Sequence, residues 1–250
     1  MDGKKFSIKD YFLLANLILA LIIWLGDCLY LQYDKLWMKS VTSALFVIIG
    51  VVNFIYLMLF GNKRFKFPAL MLTGLTFAML GDIVLEIEFI AGAALFAIGH
   101  VFYFVAYSML QKIKWTDFIY AVCILVPAVL LITLAPVFDF DGIVMEIVCV
   151  VYAAVISCMV GKAVANLVRV KSKKNIVIVL GSLLFMISDL ALLFNVFSSM
   201  KYAGAICLAT YYPAEILLGL SIFLHANEED PAALKPTASA EQSKDSENDR

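Results

Sequence analysis

Asp82 and Asp189 raise the first chemical question in this chain of 250 residues, because each interrupts a long apolar run. A charged side chain inside a membrane span costs about 2.5–3.5 kcal/mol on insertion scales, so such groups face a polar cavity or one another. Asp82 lies in "FAMLGDIVLEIEF" and Asp189 in "GSLLFMISDLALLFNVF". Two carboxyl groups close together in an apolar medium are driven into different protonation states, which supplies one acid and one base. Other proton-handling groups recur in the neighbouring runs. Tyr103 and Tyr107 share a helix face with His100, and Tyr211 and Tyr212 share one with Glu215. The competing reading is structural: each aspartate capped by a hydroxyl or amide, and His100 bonding between helices.

The wall around these residues is lipid-facing by composition. Hydrophobic residues make up 63% of the chain and charged residues 16%. Soluble domains are typically about 45–50% apolar and about 25% charged, and no core absorbs that excess. Apolar runs of about 20 residues cross the hydrocarbon as helices. Eight such runs stand at 11–31, 38–60, 67–87, 89–111, 116–136, 143–165, 175–197 and 202–225. Strand alternation is absent, so the expected fold is an all-α polytopic bundle. Residues 1–10 and 226–250 flank it, the latter charged, small and aromatic-free, as in disordered tails. Cys28, Cys123, Cys149, Cys158 and Cys207 all fall in apolar runs and read as buried free thiols, with no disulfide framework, metal site or cofactor.

Basic residues set the orientation. Of the 19 lysines and arginines, only Lys35, Lys39 and Lys201 fall on the side opposite the termini. Both termini are therefore expected in the cytoplasm. The "RVKSKK" stretch at 169–174 reads as part of that signal. Asp27 and Glu146 read as reaching headgroups, and Glu86 and Glu88 as a solvated turn between helices.

The third and seventh helices share a pattern. "GLTFAMLGD" from Gly74 and "GSLLFMISD" from Gly181 each place Met and Asp at equal distances after Gly. Three identities leave chance open, but both strings occupy the third helix of a four-helix half. Aligning Gly92 with Gly204 also sets His100 opposite Tyr212 and Tyr103 opposite Glu215. Such halves would be parallel repeats about an axis along the membrane normal. At 1.5 Å per residue, Asp82 and Asp189 then stand roughly 21–23 Å from the inner boundary, at one depth. Gly74 and Ala78 form a small-xxx-small pair suited to close helix approach.

"GDIVLEIEFIAGAALFAIGHVFY", "GSLLFMISDLALLFNVF" and "ATYYPAEILLGLS" together resemble the YhhN-like lysoplasmalogenase family. The family's motifs fall on Gly81-Asp82, His100 with Tyr103, Ser188-Asp189 and Tyr211-Tyr212. Where the family commonly has glutamine after the tyrosine pair, this chain has Glu215, a third carboxyl. The resemblance implies hydrolysis of the vinyl ether of a lysophospholipid in the bilayer, releasing a fatty aldehyde. Asp82 and Asp189 would be catalytic; His100, Tyr103, Ser188, Tyr211, Tyr212 and Glu215 would position water or substrate. No metal, organic cofactor or nucleic acid is implied, and the oligomeric state leaves no mark in the sequence. A proton-coupled carrier of a lipid or amphiphile is the rival reading of the same carboxylates. Pro127 and Pro213 interrupt helices, but no Gly/Pro-rich break adjoins either aspartate. The charge pattern fits a bacterial inner membrane, and a eukaryotic endomembrane would leave the same pattern.

Overall fold

The computed structural model describes residues 6–228 and consists of eight α-helices joined by short connections. These are α1 (Ile8–Tyr33), α2 (Leu36–Phe60), α3 (Lys66–Leu85), α4 (Phe89–Leu110), α5 (Trp115–Leu134), α6 (Ile143–Arg169), α7 (Lys173–Phe197) and α8 (Ala203–Ala226). All eight are long and apolar enough to cross a membrane. The protein is an integral, multi-pass membrane protein. Of the expected tail, residues 229–250 lie outside the described residues, as do 1–5 of the N-terminal segment; Ala226 ends α8 and Glu228 binds Lys174.

Helix ends follow local hydrogen-bonding chemistry. α1 starts at Ile8, earlier than hydropathy predicts, because Ser7 and Asp10 form a reciprocal capping box over its free N–H groups. α6 runs to Arg169, four residues past its apolar run, because its polar end is tied to protein instead of water. Asn166 Nδ2 donates to the Tyr107 carbonyl at 2.8 Å, and Arg169 reaches Thr116 Oγ1 at 2.8 Å. The bundle is turned inside out relative to a soluble one. Leucine, isoleucine and valine cover the outer surface, while Asp82, His100, Lys162 and Glu215 are buried.

The packing follows the order of two equivalent halves. α1 packs on α2, α2 on α3 and α3 on α4; α5 packs on α6, α6 on α7 and α7 on α8. The halves join reciprocally, α2 against α8 and α6 against α4. This is the pattern of two parallel four-helix repeats. Tyr103 and Glu215, set opposite one another by the repeat alignment, meet directly: Tyr103 Oη donates to Glu215 Oε2 at 2.8 Å. A position meeting its own equivalent must lie at the symmetry axis. Gly74 and Ala78 let α4 close onto α3; any side chain at Gly74 would collide with the Tyr103 ring.

Two contacts break the symmetry. α8 packs against α1 and α3, but among the described residues its counterpart α4 makes no backbone contact with α5 or α7. Among the described residues, the backbone of α5 approaches only that of α6. Its anchor is Asp117, which accepts from Lys162 Nζ at 2.8 Å and from Arg169, with Lys162 fully buried. Removing one member of a buried pair typically costs about 3–5 kcal/mol. Asp117→Ala is expected to lose stability on that scale in detergent unfolding titrations, with α5 the first helix to gain hydrogen exchange. An unchanged transition would mean that this anchor holds nothing.

Candidate functional site

Asp82 occupies the last full turn of α3, and α2 supplies its partners. Lys39 and Ser43 are four residues apart on α2 and share one face. Lys39 Nζ lies 3.0 Å from Asp82 Oδ1, and Ser43 Oγ donates a short hydrogen bond to Oδ2. Ser43 also lies 3.4 Å from Tyr212 Oη. The ammonium serves a second acid, Glu86, whose Oε1 is 2.6 Å from Nζ and 3.2 Å from Tyr30 Oη.

Two expectations are corrected here. Lys39, counted by its sequence position on the side opposite the termini, is 4% exposed and lies inside the bundle. Glu86 is not simply solvated: it stands at the mouth, with 38% of its side chain exposed, bound to Lys39. Asp82 and Glu86 fall one turn apart on the α3 face that meets α2, so a single ammonium bridges both. Asp27, expected near headgroups, is also buried at 6%, and its Oδ1 has no hydrogen-bond partner. Glu88 keeps a solvated role as the N-cap of α4, accepting from the Ile90 and Ala91 amides.

Asp189 is served by α4 and α6. Tyr152 Oη donates to its Oδ2 at 2.8 Å, and His100 Nε2 lies 3.2 Å from the same oxygen and 2.9 Å from Tyr152 Oη. His100 Nδ1 is buried without a partner, so a proton there would be left unbonded. The tautomer carrying its proton on Nε2, donated to Asp189, suits this site.

A constant register shift carries α2 onto α6, setting Lys39 opposite Tyr152 and Asn53 opposite Asn166. Lys39 binds Asp82 as Tyr152 binds Asp189, so the equivalent aspartates are held from equivalent positions by different chemistry. Lys39, Ser43, Tyr152 and Glu86 are the residues that sequence reasoning missed. The shared α2 face of Lys39 and Ser43 was the available signal.

Asp82 and Asp189 border one polar cavity of about 260 Å³ at the end of the bundle away from the termini. They do not hydrogen-bond each other, and their helices make no backbone contact. Lys39, Glu86, Ser188 and Tyr211 also line this space. Ser188 Oγ lies 3.4 Å from Cys207 Sγ, and Tyr211 Oη donates to the Ala78 carbonyl at 3.2 Å. His100 stands one hydrogen bond behind the wall, and Tyr212 two, through Ser43 to Asp82. Tyr103 and Glu215 line neither this cavity nor the apolar one beside it, and Glu215 Oε1 has no hydrogen-bond partner among the described residues.

Two acids, Asp82 buried and Asp189 partly exposed, thus border one cavity inside a bundle of eight helices long and apolar enough to cross a membrane. The kinship of the protein is given by residues 42–222, which match the YhhN family. The chain belongs to that family. No curated protein and no solved structure matches it.

The Lys39–Asp82 pairing yields a direct check. Lys39→Met strands a buried carboxylate and Asp82→Asn leaves the ammonium with Glu86 alone, so each single variant should be destabilised. The double variant should cost less than the two singles summed, by about 0.5–3 kcal/mol in a double-mutant cycle. Strict additivity would mean that the two groups do not interact.

Proposed function

We propose that this protein hydrolyses the vinyl ether bond of lysoplasmalogens, with Asp189 as the proton donor and Asp82 as the carboxylate. The observation carrying this reading is that two aspartates border one cavity, only one of them facing an ammonium. Lys39 compensates a negative charge on Asp82, whereas Asp189 accepts hydrogen bonds from Tyr152 and the neutral form of His100. Both bonds to Asp189 fall on Oδ2, which leaves Oδ1 as the oxygen that would present a proton to the cavity.

Vinyl ether hydrolysis starts with protonation at carbon. The Asp189 proton goes to the β-carbon of the alkenyl group, and the double-bond electrons leave an oxocarbenium ion at the α-carbon. The Asp82 carboxylate stabilises this cation and takes a proton from water as the water oxygen bonds to the α-carbon. This use of two carboxyls parallels glycoside hydrolysis. The product is a hemiacetal, with Asp82 now protonated and Asp189 ionised. Collapse reverses those roles. Asp189 takes the hemiacetal hydroxyl proton, Asp82 gives its proton to the departing glycerol oxygen, and the C–O bond breaks. Fatty aldehyde and glycerophospho-headgroup leave, and both carboxyls return to their starting states. Protons balance without exchange with either aqueous side.

General acid–base groups contribute about 10²–10⁴-fold in rate. Asp82→Asn and Asp189→Asn, purified in detergent with unchanged folding, should each lose aldehyde release from a lysoplasmalogen by at least that range. Full activity in either variant removes that residue from the mechanism. A proton-coupled carrier would instead move intact lipid across sealed vesicles and release no aldehyde.

A further inference from the structure

A second cavity adjoins the polar one. It has a volume of about 390 Å³ and lies among α4, α5, α6 and α7. Phe89, Ala93, Pro127, Leu131, Ala153 and Leu193 are typical of its lining, which is almost wholly aliphatic and aromatic. The two polar side chains that do reach it with an acid or hydroxyl are Asp189 and Tyr152. Asp189 and Phe96 border both cavities, so the two spaces meet at the carboxyl proposed to carry the proton.

This apolar space lies where the repeat symmetry fails. In the first half, the counterpart of α4 is α8, which closes against both α1 and α3. In the second half, α4 stays apart from α5 and α7, and α5 stands off on α6. α5 is the outermost element here, and Val122, Val126 and Leu130 on it face outward. The opened seam between α4 and α5 is therefore bounded by lipid-facing helices.

We propose that this cavity is the hydrocarbon-chain subsite, filled by the single alkenyl chain of the substrate, which slides in from the bilayer between α4 and α5. The proposal rests on the lysoplasmalogen reading of the polar cavity. The cavity's volume falls in the range of about 300–1,000 Å³ common for small-molecule sites, lined mainly by apolar side chains with few polar ones. A chain seated there ends at Asp189, which places its first double bond beside the proton donor and its ether oxygen toward the polar cavity. One apolar cavity adjoining the site also gives a reason for a single-chain substrate: a second chain would have to lie in the charged space around Lys39. Ala128 on α5 and Ala153 on α6 line the cavity wall and determine how much chain it admits.

Two measurements test this. A lysophosphatidylcholine with a photoreactive diazirine near its chain end is irradiated with the full-length protein in micelles, and labelled peptides are sequenced. Label on the cavity-lining stretches of α5 and α6, reduced in Ala128→Phe, is the expected result. Label confined to other helices overturns the proposal. In the second measurement, aldehyde release is compared for alkenyl chains of eight and sixteen carbons. Ala128→Phe should lower the ratio of long-chain to short-chain turnover by about ten-fold or more, as steric selection in an apolar pocket allows. Equal losses at both lengths, or none, would overturn it. Labelling needs no turnover. Cavity labelling without aldehyde release from any vinyl ether would sink the hydrolase reading and keep the chain site. Turnover with label elsewhere would do the reverse.

Discussion

The interaction that the rest of this structure depends on is the Lys39 ammonium held between Asp82 and Glu86. Neither ion would survive alone in the hydrocarbon layer, where desolvation costs several kcal/mol per ion. Together they are tolerated only if the geometry is held, and holding it dictates the packing around them. α2 must present Lys39 and Ser43 to the last turn of α3. α1 must bring Tyr30 to Glu86, and α8 must bring Tyr212 to Ser43. Four helices are thus committed at one level of the membrane. The small residues of α3 serve the same end, because a close α3–α4 contact leaves little freedom for Asp82 to turn away.

The repeat explains why a second carboxylate appears at the same level. Parallel halves place equivalent residues at equal depth, and the Tyr103–Glu215 bond locates the axis between them. Perfect symmetry would nevertheless produce a closed bundle. The departures occur around α4 and α5, and both an apolar cavity and an opening between lipid-facing helices result from them. In the proposed reaction it is the differences between the halves that do the chemistry, and the common part sets the frame.

The eight helices were legible in the sequence because length and hydropathy suffice to define a span. Their ends were less so, since Ser7 and Asp10 extend α1 and Asn166 and Arg169 extend α6 through hydrogen bonds that hydropathy does not register. The site was half legible. Asp82 and Asp189 stood out because a carboxyl in an apolar run is costly anywhere, and the recurrence of one pattern linked them. Lys39, Glu86 and Tyr152 did not stand out. In a soluble helix, polar and apolar faces differ and a residue's direction follows from its period. Here lipid-facing and core-facing positions are both apolar, so the period is silent about which way a side chain points. A lysine at the start of a span then reads as facing water, although packing turns it inward.

That same lysine makes two equivalent aspartates chemically different. Asp82 and Asp189 descend to one depth on corresponding helices, and each is approached from the corresponding position of α2 or α6. Were those positions identical, the two carboxyls would compete for the same protonation state. Instead α2 supplies an ammonium and α6 a phenol, the one neutralising an ionised acid, the other donating a single neutral hydrogen bond. His100 on one side and Tyr212 behind Ser43 on the other repeat the contrast. In the proposed reaction this exchange of one residue type at one repeat position separates acid from base. It does so before any substrate is bound, and the apolar cavity meets the member that is not paired with the ammonium.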